Sequence, residues 1–249
     1  KNAIYDELSY FCDKVFRGVS YDEYSKDPEG KIIGCRWVSS NKGDAESPDV
    51  RMRLVGQEIN RGDVCDDFYA ATPPLEAKRL LFSDWATKKH IRGQRLKLHF
   101  TDLRKAYFNG IPTRSIYVRM PQELGLPKGT LGKLVRCMYG TRDAGAIWEQ
   151  CYVDCLLGMG FVQSLASPCC FNHPDWEISV VVHGDDFTAL GTDKSLDKYE
   201  AGLKAAFECK FRGRLGLDDS DDKEIRVLNR IVRITLNGLL YEADPRHAE

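Results

Sequence analysis

Seven residues constrain the fold of this chain more than any other stretch: Val181-Val182-His183-Gly184-Asp185-Asp186-Phe187. Two apolar runs, Ile178–His183 and Asp186–Leu190, are separated here by two residues, the first of them glycine. A type II′ hairpin turn demands glycine at that position because φ is positive there. The stretch therefore predicts an antiparallel strand pair, apolar enough for a core, with two adjacent carboxylates at its tip. Taken alone, Gly-Asp is ordinary turn chemistry and needs no function. The apolar flank points further, because anions crowded where a core strand emerges require a counter-charge.

A third carboxylate has a similar setting. Leu96–Leu103 alternates apolar and polar residues as a half-buried strand does, and carries Asp102 near its end. One reading makes Asp102 the N-cap of a following helix. The other places it beside Asp185 on a neighbouring strand, where three carboxylates can hold two divalent cations about 3.5–4 Å apart. Oxygen-only ligands select Mg²⁺ or Mn²⁺ over zinc. Arg51 and Arg53, two apart on a predicted strand, face the same side, either as a solvated face or toward an anion.

The remaining pattern is irregularly mixed. A polar segment, 1–28, contains a predicted helix over Tyr5–Phe16. Strands over Lys31–Val38 and Val50–Glu58 form a hairpin with a long connection, Asn41–Asp49. Pro73-Pro74 opens a helix over Leu75–Lys89, with Leu80, Leu81, Trp85 and Ala86 on its apolar side. Strands follow at Ile116–Met120 and Leu134–Tyr139, then a helix over Ala144–Met159 closed by Gly160. A strand over Cys169–Asn172, a helix over Ser195–Phe211, a solvated acidic loop at Asp218–Asp222 and a hairpin at Asn237-Gly238 complete the pattern. Such interleaving predicts an α+β fold rather than a doubly wound parallel sheet.

Composition excludes several classes. Lys and Arg total 36 against 37 Asp and Glu, a net charge of −1, so the chain is no polycationic tail, although a local basic stripe could still hold nucleic acid. No apolar run approaches the ~18 residues of a membrane span. Nine cysteines without a C-x-x-C pair support neither a zinc ribbon nor a redox motif, and a reduced, intracellular compartment is expected. The first residue is Lys, as expected of a piece of a longer polypeptide.

Six blocks, in order, carry a resemblance. Thr101-Asp102-Leu103-Arg104-Lys105-Ala106-Tyr107-Phe108-Asn109-Gly110 resembles the LDVKTAFLNG block of copia-type reverse transcriptases. Arg53-Leu54-Val55 is similar to their KARLVA block, and Ile116-Tyr117-Val118-Arg119-Met120-Pro121 to IYM-x-x-P. Met138-Tyr139-Gly140-Thr141-Arg142-Asp143-Ala144 through Trp148 resembles LYGLKQAPRAW. Gly160-Phe161, Ser164 and Ser167-Pro168-Cys169 follow GF-x-x-S-x-x-D-x-C, and His183–Asp186 takes the place of YVDD. Departures are His183-Gly184 for Tyr-Val, Lys105 for Thr, Gly145 for Pro and Ser167 for Asp; none falls on the acids that the resemblance makes metal ligands.

The resemblance implies a right-hand polymerase with fingers (about 29–95 and 113–144) and an antiparallel palm sheet backed by helices (about 96–112 and 145–235). Residues 236–249 would be a hairpin leading toward a thumb. It implies Asp102, Asp185 and Asp186 as catalytic metal ligands for two Mg²⁺ ions, with Mn²⁺ as substitute, Asp186 contributing less directly. Tyr107 would lie under the incoming sugar and exclude ribonucleotides. Arg51 and Arg53 would meet the triphosphate, with Gly140 and Arg142 on the nucleotide or template surface. The implied function is RNA-directed DNA polymerisation within a retrotransposon Pol polyprotein. Its partners would be RNA or DNA template with primer, deoxynucleoside triphosphates, and integrase and RNase H segments outside this chain. The expected setting is a cytoplasmic particle or the nucleus, with no membrane. The rivals are a catalytically inactive nucleic-acid-binding remnant and an RNA-directed RNA polymerase; Tyr107 argues against the latter.

Other features have plainer readings. The Asp218–Asp222 run lacks the glycine and distal Glu of an EF-hand loop. Gly129-Thr130-Leu131-Gly132-Lys133 lacks the spacing and following Ser or Thr of a phosphate loop. Cys151 and Cys155 share a helix face as packing residues, and His90, His99, His173 and His247 have no partner at ligand spacing.

Overall fold

A computed structural model describes residues 2–41, 43, 46–59, 68–227 and 230–243. Parts of the 41–49 connection and of the C-terminal segment, together with Cys65 and His247, lie outside the described residues. The first elements are α1 (Asn2–Tyr10), β1 (Phe16–Val19), α2 (Tyr21–Ser25), β2 (Lys31–Asn41), β3 (Val50–Gln57) and α3 (Leu75–Lys88). Next come β4 (His90–Ile91), β5 (Gln94–Arg95), β6 (Lys97–Leu103), β7 (Ile116–Arg119), β8 (Leu131–Leu134) and α4 (Ala144–Gly158). Then follow β9 (Val162–Gln163), β10 (Cys170–His173), β11 (Ile178–His183), β12 (Asp186–Gly191) and α5 (Asp193–Ala206). The last strands are β13 (Cys209–Leu215), β14 (Glu224–Val227), β15 (Arg230–Thr235) and β16 (Gly238–Tyr241). Helices and largely antiparallel sheets together make an α+β fold, as the pattern predicts.

The chain divides into two compact units, Lys1–Ala70 with Tyr107–Cys151, and Ala71–Ala106 with Tyr152–Glu249. Helix α3 lies in the second unit and residues 107–112 in the first.

The first unit is built on a sheet in the order β1-β8-β7-β2-β3, in which only β2 and β7 run parallel. Phe11, Val15, Ile33, Leu54, Phe108, Ile116, Val118 and Met138 fill its core. The predicted helix over Tyr5–Phe16 is shorter as an α-helix: it widens after Tyr10, and Phe16 already pairs with Leu134 in a strand. The strand expected over Leu134–Tyr139 is shifted to Leu131–Leu134, where β1 and β7 supply neighbours on both sides.

The second unit contains a six-stranded antiparallel sheet, β13-β6-β12-β11-β10-β9, and a smaller sheet, β14-β15-β16. Leu81, Phe82 and Trp85 of α3 pack against Leu98, Phe100, Val181 and Leu190 on one face of the large sheet, and Val227, Val232 and Ile234 of the small sheet join this core. Trp85 donates its indole N–H to the Leu96 carbonyl at 2.8 Å, fixing the helix over β6. The buried stripe of α3 is Lys78, Leu81, Phe82 and Trp85, spaced i, i+3, i+4, i+7. Leu80, expected on the apolar side, falls outside that stripe and is exposed.

Three further expectations are corrected. β6 is buried on both faces rather than one, because β12 and β13 flank it while α3 and α5 cover its sides. Its alternating polar residues are paired within the core: Lys97 Nζ lies 2.6 Å from Asp221 and 2.7 Å from Asp193, and His99 shares a 3.0 Å hydrogen bond with Thr101. The Asp221 side chain is therefore turned inward, while Asp219, Ser220 and Asp222 of the same loop stay exposed. The helix expected to reach Phe211 ends at Ala206; Phe207 is extended, and Cys209-Lys210-Phe211 instead pairs with Leu103-Asp102-Thr101. Gly160 follows α4 at φ 92°, where a Cβ would meet the His173 ring nitrogen at 2.9 Å.

Candidate active site

The acids of the second unit are placed by register. β6 and β12 are antiparallel, and their last rung sets Asp102 directly opposite Asp186. Directly opposed residues of such a pair share one face, with Cβ atoms about 4.5–5.5 Å apart. That face continues through Phe100 and Leu98 to the contact with α3. Asp185 occupies the two-residue turn, in which Gly184 has φ 64° and His183 pairs with Asp186. The Asp185 carbonyl accepts a 2.9 Å hydrogen bond from the Leu103 N–H, tying the turn to the end of β6. Asp186, expected to be the less direct participant, is thus the residue facing Asp102, because a two-residue turn makes it the first residue of the returning strand.

Two basic side chains unmarked by the sequence reading attend this pair. Arg212 places Nη2 3.1 Å from Asp102 Oδ2 and 3.6 Å from Asp186 Oδ1. Lys78 is buried on α3, and its ammonium lies within the field of Asp186 and Arg212. Burial pushes the Asp186 carboxyl up, Arg212 draws it down, and the neighbouring charges of Asp185 and Asp102 push it up again. Burial and then Lys78 lower the His183 imidazole.

Among the described residues, no three His, Cys, Asp or Glu side chains are already grouped around a point that could hold a metal ion. The donor chemistry nevertheless fits a hard divalent cation: two carboxylates share a face, a third is adjacent in the chain, and a guanidinium already bridges the pair.

The first unit gathers the other candidates. β3 presents Arg51 and Arg53 on its exposed face. The Arg53 guanidinium lies over the Tyr139 ring, 5.3 Å from its centroid, and Tyr139 packs edge-on against Tyr107 at 4.9 Å. Tyr107 is half-buried. Gly140 has φ 86°, and a Cβ there would collide with the Gly56 carbonyl, so its close approach is to β3 itself. Hydrogen bonds from Gly56 N–H to the Tyr139 carbonyl and from Glu58 N–H to the Gly140 carbonyl fix that contact.

Arg142 is tied to a network that the sequence left unmarked. Its backbone N–H donates to Glu58 Oε2 at 2.9 Å, and its guanidinium lies 4.8 Å from the Phe68 ring centroid. Arg114 grips the same buried Glu58 carboxylate with both terminal nitrogens, at 2.7 and 3.0 Å, and reaches Asp143 through Nε at 3.0 Å. Burial alone would raise the Glu58 carboxyl; the bonds from Arg114, Arg142 and Lys31 prevail and lower it to about 2. Glu58 and Arg114 lie 56 residues apart, and no spacing rule links them.

A central antiparallel sheet with carboxylates at its hairpin tip is the frame of a nucleotidyltransferase palm, and comparison with known proteins agrees. The reverse transcriptase (RNA-dependent DNA polymerase) family matches residues 19–218, and the chain belongs to that family. The resemblance of its blocks to copia-type elements is thereby borne out. Among solved structures, a telomerase from Candida albicans in complex with a TWJ fragment of telomeric RNA is similar at a TM-score of 0.57 and 7% identity, covering 96% of this chain and 49% of that one. An apo telomerase from Candida tropicalis is similar at 0.53 and 7%, covering 97% and 59%. These likenesses concern the fold, and the chain spans about half the length of those two proteins. Among the described residues, no helix is long and apolar enough to cross a membrane.

Proposed function

We propose that this chain is an RNA-directed DNA polymerase that adds deoxynucleotides to a primer 3′-hydroxyl, and that it works as a segment of a retrotransposon Pol polyprotein. The observation that carries this reading is the Asp102–Asp186 rung, with Asp185 in the adjoining turn. Asp102, Asp185 and Asp186 would hold two Mg²⁺ ions, or Mn²⁺ in their place. When bound, such ions neutralise charge developing at the transferring phosphorus and favour the alkoxide form of the attacking hydroxyl.

The chain's own residues do the rest. The six-stranded sheet fixes Asp102 and Asp186 against the rotation that a flexible loop would allow. The tight turn at Gly184 keeps Asp185 beside them. Tyr107, five residues after Asp102 in the block, acts as the steric gate, since a rigid ring under the sugar clashes with a 2′-hydroxyl. Arg53, steadied over Tyr139, and Arg51 offer guanidinium forks to a triphosphate. Template and primer are held mainly through phosphates, so binding weakens as salt rises. In this reading the first unit supplies the fingers and the second the palm.

A second reading, a non-catalytic nucleic-acid-binding remnant, is favoured by one observation: the guanidinium seated on the acid pair. Primer extension on poly(rA)·oligo(dT) with Mg²⁺ separates them. Incorporation of dTTP but not UTP supports the DNA polymerase. UTP incorporation indicates the RNA polymerase, and binding without extension indicates the remnant.

A further inference from the structure

Two cations converge on the Asp102–Asp186 rung from different elements. Arg212 is the extra residue of a β-bulge: Phe211 pairs with Thr101 and Gly213 with Phe100, leaving Arg212 without a rung. A bulge re-aims the side chain it carries. Phe211 stacks on His99 on the opposite face, so the bulge turns Arg212 toward the acids. Gly213 makes this possible, because its φ of 145° suits glycine and a Cβ would collide with the Asp222 carboxylate.

Lys78 is the second cation. It is 5% exposed, and its Nζ has no hydrogen-bond partner among the described residues. A buried amine in that state is costly, and an apolar residue would suit the α3 stripe better. Burial lowers the Lys78 ammonium from its ordinary value, Asp186 draws it up in part, and Arg212 pushes it down. Lys210, paired in register with Asp102, is exposed and belongs to the solvated rim of the same face.

We propose that Arg212 and Lys78 are internal counter-cations that neutralise the Asp102–Asp186 pair and compete with a divalent cation for it. This proposal rests on the reading that the pair binds metal. Arg212 is paired with both carboxylates and Lys78 lies in their field, so a metal entering the rung must displace Arg212 and overcome the repulsion of Lys78. The two side chains differ in freedom. Arg212 stands on an edge strand with its side chain 33% exposed, and can swing into solvent. Lys78 is held within the α3 packing and stays. The metal concentration that loads the site is therefore set partly by this chain's own cations.

The test is Mn²⁺ binding to the full chain, followed by loss of the free-ion electron paramagnetic resonance signal, with no nucleotide or primer present. Arg212→Gln is expected to bind Mn²⁺ about tenfold more tightly than wild type, equivalent to about 1.4 kcal/mol. Arg212→Lys, which keeps a cation on the bulge, should stay near wild type. Lys78→Met should also tighten binding several-fold and raise the melting temperature. An edge-strand ion pair that merely holds Asp102 in place gives the opposite sign: Arg212→Gln would then bind Mn²⁺ equally or more weakly, overturning the competition. Unchanged affinity in Lys78→Met removes the part assigned to Lys78. Asp102→Asn distinguishes the two levels. If it abolishes binding, the metal reading stands whatever Arg212→Gln does; if it leaves binding intact, the metal reading falls and this proposal with it.

Discussion

Asp102 and Asp186 occupy one rung of an antiparallel strand pair, 84 positions apart in sequence and directly opposed in space. Their shared face is the physical basis of the site, because two carboxylates held by backbone pairing cannot move apart to relieve repulsion. A counter-charge is therefore obligatory, and Arg212 supplies it.

Sugar selection is the first consequence to test. Replacing Tyr107 with Ala removes the ring from its contact with Tyr139. Relative incorporation of ribonucleotides should rise by at least about tenfold, or ~1.4 kcal/mol of lost discrimination. Competition between dTTP and UTP in primer extension measures it, and an unchanged ratio removes the gate role.

Stability should fall with acid through His99. Burial lowers its imidazole from the ordinary 6.5 to about 4. The unfolded chain therefore takes up this proton at higher pH than the folded one, so stability is fully present above about 6.5 and is lost as pH falls toward 4. The contribution is at most roughly 3 kcal/mol. Denaturant melts between pH 7 and pH 4.5 should show this slope in the wild type and a shallower one in His99→Gln. Equal slopes would rule His99 out as the source.

The Glu58 network should behave as one unit. Arg114→Ala strips the buried Glu58 carboxylate of its bidentate partner, leaving Lys31 and the Arg142 N–H. A loss of about 3 kcal/mol is expected, near the lower end for a broken buried pair. Arg114→Ala combined with Glu58→Gln should recover part of it, because Glu58 is then no longer a buried charge short of its partner, while Asp143 still lacks Arg114. A double variant as unstable as the sum of its singles would contradict this coupling.

Much of the fold was legible because its elements are marked locally. The glycine of the Gly184 turn, the apolar flanks of β11 and β12, and the cap at Gly160 each state their conformation within a few residues. The misreadings share a cause: long-range pairing overrode local pattern. The segment after Ala206 carries helical periodicity, yet the open edge of β6 claims Cys209–Leu215 as a strand. Alternation in Lys97–Leu103 signals one wet face, but Asp221 and Thr101 partner its polar residues inside the core. Asp102 and the Asp185-Asp186 pair could be read as candidates because carboxylates at strand ends are conspicuous. Arg212 could not, since its role depends on a bulge whose existence depends on β6. Lys78 could not either: its place on a helical stripe reads as an interruption of the apolar face.

The most direct test of the central claim compares primer extension by wild type and by Asp102→Asn and Asp185→Asn, on poly(rA)·oligo(dT) with Mg²⁺. Circular dichroism melts establish that all three are folded. The expected result is extension by the wild type, a loss of at least about a thousandfold in each variant (~4 kcal/mol of transition-state stabilisation), and matching melts. Substantial extension by either folded variant would contradict the assignment of these carboxylates as the cation-holding centre.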